Sequence, residues 1–170
     1  MPKFPTLRAI ALAAAAACWL PAQSQTLPAA CSAAATPIAA VQGSGDNSPL
    51  AGSAVTVQGV VVGDFEGPAG TLRGFHLQSL LPDDDPVTSE GVFVFNGSGN
   101  NMVALGQVVR VTGTAGEYQG QTQITATGLT LCGIDVSVTP TDLSLPLSSA
   151  DFLERYEGML VTLNGPFVIG

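Results

Sequence analysis

The sequence has little positive charge: five Lys and Arg stand against thirteen Asp and Glu, giving a formal net charge of −8. Holding a polyanion by non-specific phosphate neutralisation needs several cations that release counterions on contact, so this balance excludes that mode. The acidity suits solubility, or association with cations or basic surfaces. Histidine is nearly absent. His76 is the only one, and any general-base or metal role for imidazole falls on it alone. No Ser, Cys or carboxylate accompanies it in an interpretable pattern, so it reads as an outward strand residue without chemistry. Once Cys18 is removed with the signal peptide proposed below, one histidine and two distant cysteines do not make a zinc set. Long apolar runs are missing too, since Ala9–Leu20 falls well short of the roughly 20 residues that span a bilayer.

That short run has another meaning. Lys3 and Arg8 precede it and Ala22-Gln23-Ser24 follows as a small-x-small cleavage site, the layout of a secretory signal peptide over residues 1–24. Lipid attachment at Cys18 is the competing reading, but Ala15-Ala16-Ala17 lacks the large apolar residue such sites carry. The expected mature chain is exported, extracellular or periplasmic, and has no membrane span. Cleavage removes two basic residues and no acidic ones, leaving Arg73, Arg110 and Arg155 and a formal charge of −10. Cys31 and Cys132 remain as an even pair in an oxidising compartment, flanking the predicted domain, and are expected to form a disulfide. Closing a loop of about 100 residues stabilises by roughly 4–5 kcal/mol in the chain-entropy model.

What the chain does have is β-strand patterning. In Gly52–Gly63, Val55, Val57 and Val61 alternate on one face and Thr56, Gln58 and Val60 on the other. Gly59 interrupts the run where a strand must bend or approach another backbone. The pattern Gly-x-x-Val-x-(Val/Leu)-x-Gly recurs from Gly106 and from Gly158, at intervals of 54 and 52 positions. Further strands are expected over Leu72–Leu80, with Phe75 and Leu77 on one face and His76 and Gln78 on the other, and over Glu90–Phe95, Gln107–Thr114 and Thr122–Leu131. Tyr118-Gln119-Gly120-Gln121 marks a hairpin turn. Ile38–Gln42 suits a brief strand or one turn of helix.

Five short strands with almost no helical period predict an all-β fold, a five-stranded OB-like barrel over residues 36–133 behind a leader at 25–35. Many OB barrels place a helix between strands three and four, whereas here Asn96–Gly106 is rich in Gly and Asn. A sandwich would want about seven strands. Residues 134–147 read as an extended connector. Ser148 or Ser149 is placed to cap a short helix over Ala150–Tyr156, with Asp151 and Glu154 in its first turn. The third pattern copy then opens an incomplete second β module over 148–170, which suggests the N-terminal piece of a longer protein.

The stretches IAAVQGSGDNSPLAGSAVTVQGVVVGDFEG, GFHLQS, the aspartate-rich loop, EGVFVF, VALGQVVRVTGTAGEYQGQTQI and RYEGMLVTL resemble the N-terminal region of bacterial extracellular nucleases of the endonuclease/exonuclease/phosphatase superfamily. The resemblance implies a non-catalytic OB-like module ahead of a C-terminal nuclease domain that hydrolyses extracellular DNA with a divalent metal, magnesium or calcium. None of that domain's metal-binding motifs occurs here, so no catalytic residue carries over.

Two sets of side chains remain as candidate sites. Phe65, Phe75, Phe93, Phe95 and Tyr118 invite base stacking over the sheet, with Arg73, Phe75, Arg110 and Tyr118 as the residues to contact DNA; the competing expectation is that most phenylalanines fill the barrel. Asp83, Asp84, Asp85 and Glu90, with Asp64 and Glu66 on another loop, offer carboxylates to a calcium ion. Their spacing lacks the Asp-x-Asp-x-Asp-Gly alternation of a dedicated loop, and a solvated loop is the default. An extracellular interaction module, calcium-dependent or not and unrelated to nucleic acid, is the alternative function.

Overall fold

The computed structural model describes residues 28–97, 101–147 and 149–165, so the proposed signal peptide and Ser148 lie outside it. A 3-10 turn at Ala29–Ser32 and a short helix, α1 (Ile38–Gln42), precede five strands: β1 (Ala54–Phe65), β2 (Gly74–Gln78), β3 (Gly91–Phe95), β4 (Val108–Tyr118) and β5 (Gln121–Gly133). They form one sheet in the order β1-β2-β3-β5-β4, and β4 returns to β1, so the sheet closes in a ring. Every neighbour is antiparallel except β3 and β5, which run parallel. Closure leaves no open strand edge among the five.

β1 accomplishes the closure by bending. Its first half pairs with β4 from Ala54 to Val60, its second half with β2 from Val60 to Phe65, and the register slips between Val61 and Gly63. Gly59 stands at the changeover. A Cβ there would come within 2.5 Å of the Gln78 carbonyl oxygen, so β2 crosses too closely for any side chain.

The alternation of β1 holds in three dimensions. Val55, Val57 and Val61 join the main core with Phe75, Leu77, Val92, Val94, Val109, Val111, Ala115 and Ile124, whereas Val60 packs outside with Val108 and Cys132. No helix forms among the described residues between β3 and β4, where Leu105 and Gly106 make only a turn. The apolar cap comes instead from α1, whose Ile38 and Val41 enter the same core. Gln42 Nε2 ties α1 to the Gly91 carbonyl at 2.6 Å.

Cys31 and Cys132 are bonded, which joins the N-terminal turn to the end of β5. The pairing suits an oxidising compartment. Among the described residues no helix is long and apolar enough to cross a membrane.

The C-terminal stretch departs from expectation. Thr141–Ser144, expected to be connector, forms β6 and pairs in parallel with β7 (Val161–Asn164), so the third pattern copy has a partner. Between them Ala150–Tyr156 is a 3-10 helix, and Ser149 precedes it without making a side-chain cap. The segment after this helix rests on the ring. Ser89 Oγ donates to the Glu157 carbonyl at 2.6 Å, Thr122 N to Glu157 Oε1 at 2.9 Å, and Leu160 N to Gln78 Oε1 at 2.8 Å.

Candidate functional site

The parallel pairing of β3 with β5 sets Phe93 beside Gln123 and Phe95 beside Thr125. Strand alternation then sorts the side chains: Val92, Val94, Thr122 and Ile124 point inward and are buried, while Phe93, Phe95, Gln121, Gln123 and Thr125 take the outer face, where Phe93 is nonetheless covered by its neighbours. Tyr118, opposite Gln121 at the β4–β5 hairpin, is 60% exposed. Across from the hairpin stands the β1–β2 loop with Thr71, Leu72 and Arg73. Together these residues line an open groove of about 670 Å³, within the range typical of small-ligand sites.

Arg73 holds a left-handed backbone conformation, φ 58°, just before β2. Its guanidinium carbon lies 5.7 Å from the centre of the Phe95 ring, and its Nη2 donates to the Gly97 carbonyl. It is therefore held against the groove wall by a cation–π contact and a hydrogen bond. Beside the groove the aromatic surface continues: His76 sits between Phe65, edge-on at 5.7 Å, and Phe93 at 5.1 Å. Burial lowers the His76 pKa, and among the described residues its Nδ1 has no hydrogen-bond partner. A neutral imidazole in an aromatic row is the outcome.

The chain matches no family model and no curated protein. Its function must be read from the geometry.

Of the four residues expected to touch DNA, the structure brings two together and withdraws two. Arg73 and Tyr118 share the groove. Phe75 is fully buried in the core, so its ring has no free face for a base. Arg110 is only 8% exposed; it donates to the Ala33 carbonyl at 2.9 Å, to the Ala34 carbonyl, and to Gln58 Oε1 at 3.3 Å. It clamps the N-terminal segment onto β1 and β4, and its charge is unavailable to a ligand on the opposite face. The expectation that most phenylalanines fill the interior also fails. Among the described phenylalanines Phe75 alone joins the main core; Phe93 is buried, 5% exposed, beneath the groove, Phe95 is partly exposed and Phe65 is 46% exposed.

The acidic loop turns its carboxylates on its own backbone. Glu90 Oε1 accepts from Asp83 N at 2.6 Å, Asp83 Oδ1 from Asp85 N at 2.8 Å, and Asp85 Oδ1 from Val87 N at 3.0 Å. Thr88 Oγ1 donates to both Asp83 oxygens, and burial raises the Glu90 pKa. Glu66 is similarly engaged, since its Oε2 accepts from Met102 N at 2.7 Å and Val103 N at 3.1 Å and its Oε1 from Asn96 Nδ2. Among the described residues, no three His, Cys, Asp or Glu side chains converge as a metal-ligand group.

Sequence reasoning missed Gln121 and Gln123 entirely. The signal was present in the β-branched alternation of Thr122–Leu131, which puts Thr122 and Ile124 on one face and therefore 121, 123 and 125 on the other.

Proposed function

We propose that this chain is a non-catalytic OB-like module of a secreted bacterial nuclease, which positions the parent protein's metal-dependent catalytic domain or its substrate. The observation that carries the proposal is the ring order β1-β2-β3-β5-β4, with an outward groove between the β1–β2 loop and the β4–β5 hairpin. OB folds take their ligands on the strand 2–3 face between those two loops. The resemblance of VQGSGDNSPLAG and VTVQGVV to the N-terminal regions of extracellular nucleases supplies the parent activity. A bonded Cys31–Cys132 pair agrees with export. On this reading the divalent metal, magnesium or calcium, belongs to the catalytic domain rather than to these residues.

The test has two arms. The reading frame beyond Gly170 should encode a phosphoesterase domain. The purified chain alone should leave plasmid DNA intact with magnesium or calcium, while the longer protein degrades it. A frame without such a domain, or hydrolysis by the isolated chain, would defeat the proposal.

A further inference from the structure

We infer that the groove floored by Phe93 and Phe95 binds an uncharged, hydroxyl-rich chain, a neutral oligosaccharide, in preference to a nucleic acid. The inference rests on the reading of the ring as a binding module and names the ligand class of its groove.

The first argument is charge. Among the described residues Arg73 is the only cation lining the groove, and it is engaged with Gly97 and Phe95. The mature chain would carry ten more acids than bases. A phosphate chain would enter a negative field with one guanidinium to meet it, whereas non-specific affinity for such a chain grows with the number of phosphates neutralised. An uncharged ligand pays no such penalty.

The second argument is the chemistry of the lining. Gln119, Gln121 and Gln123 each present a carbonyl acceptor and two N–H donors, and Thr71 and Thr125 add hydroxyls. Among the described residues none of these three amides is hydrogen-bonded to another side chain or to the backbone. A phosphate oxygen only accepts, so it leaves the amide carbonyls unpaired. Sugar hydroxyls both donate and accept, and vicinal pairs of them satisfy both ends of an amide. The rings provide the complementary apolar surface: Phe95 and Tyr118 are rigid aromatic faces on which the C–H face of a pyranose can lie, and Tyr118 adds a hydroxyl.

The register gives this set its spacing. Gln123 stands beside Phe93 and Thr125 beside Phe95, so each ring has a polar neighbour on the next strand. Tyr118 and Gln121 repeat the arrangement across the hairpin. A groove that sets aromatic rings beside amides and a hydroxyl suits a polymer that alternates apolar faces and hydroxyl edges.

The test is calorimetric titration of the purified exported chain with neutral hexasaccharides: β-1,4-glucose, β-1,3-glucose, α-1,4-glucose and β-1,4-N-acetylglucosamine. An oligo-dT strand and oligogalacturonate serve as anionic comparators, at low and at high salt. At least one neutral hexamer should bind with an affinity that salt leaves unchanged. Tyr118→Ala and Gln123→Ala should each weaken it about tenfold or more. Both side chains are at least partly exposed, and an unchanged melting temperature shows that the variants fold. Absence of binding by every neutral hexamer at millimolar concentration overturns the inference, as does binding indifferent to both substitutions. Salt-sensitive binding of oligo-dT alone overturns it as well but leaves the nuclease-module reading standing. That reading fails separately, on the frame beyond Gly170.

Discussion

Val57 and Val111 stand opposite one another across β1 and β4, and both are fully buried. They are the same position in the first two copies of the glycine–valine pattern, which pair antiparallel, Val55 meeting Gly113 and Gly59 meeting Val109. Each copy thus lays its glycine against the other's valine. Replacing Val57 or Val111 by alanine should cost about 2 kcal/mol through lost burial and an unfilled cavity. The pair should be non-additive, because the two side chains share one space. Leu163, the matching residue of the third copy, is 48% exposed on β7, and Leu163→Ala should stay within about 0.5 kcal/mol. Urea denaturation of the three single variants and the double variant measures this directly.

The glycines of the pattern make a second prediction. A Cβ on Gly59 would strike the Gln78 carbonyl, and one on Gly113 the Thr125 carbonyl and Ile124. The nearest obstacle in each case is a backbone carbonyl of the neighbouring strand, which cannot rotate aside. Gly59→Ala and Gly113→Ala should therefore destabilise by roughly 1–3 kcal/mol despite alanine's smaller conformational entropy cost. Gly116 offers the control, since a Cβ there meets nothing within 4 Å. A Gly59→Ala variant as stable as Gly116→Ala would show that β2 does not cross β1 at this point.

These relationships also explain what could be read from the residues alone. Period two in β1 and β2 was legible because one face meets the core and the other does not, so Val55, Val57, Phe75 and Leu77 announce themselves. β3 was only half legible. Gly91–Phe95 is apolar on both faces, and nothing local says that Val92 and Val94 go in while Phe93 and Phe95 line a groove; the parallel contact with β5, distant in sequence, decides it. Arg110 looked like a surface cation because its carbonyl partners, Ala33 and Ala34, lie in a stretch with no pattern. The third copy misled for a related reason. Its partner β6 is Thr-Asp-Leu-Ser, too polar and short to stand out as a strand.

The disulfide and Arg110 hold the same N-terminal segment by different means, and they should be separable. Replacing Cys31 and Cys132 together by alanine should cost about 2–5 kcal/mol, with the chain-entropy value for so long a loop at the upper end. Arg110→Ala in the bonded protein should instead act locally, freeing the backbone of Ala33 and Ala34 while the ring stays closed. Hydrogen exchange over residues 29–36 against β4 and β5 distinguishes the two. Faster exchange confined to the N-terminal segment in Arg110→Ala supports the clamp, and uniform loss of protection refutes it.

The C-terminal segment is the place where pH should act. Glu157 is pushed up to about 7 by burial first, then by the charges of Glu154 and Glu117, against the hydrogen bond from Thr122 N. Glu117 faces it across Thr122, accepting through Oε1 from Ser48 N and Thr122 Oγ1, while its Oε2 is buried without a partner among the described residues. A folded-state pKa above the unfolded value of 4.5 means that folding takes up a proton. This stability is complete below the unfolded value and is lost as pH rises to 7 and beyond, on the order of 1–2 kcal/mol once solvent screening of a half-exposed group is allowed for. His76 has the opposite sign: its lowered pKa favours the neutral ring, so its contribution is present above 6.5 and falls away on acidification. The wild-type profile sums opposing slopes, Glu157 and Glu90 on one side and His76 on the other, and variants separate them. Glu157→Gln should reduce the decline above pH 5, leaving the smaller Glu90 slope against that of His76; His76→Gln should steepen the decline. Melting temperatures from pH 4.5 to 8 test both, and a Glu157→Gln profile parallel to wild type would show that the segment rests on the ring without a proton between them.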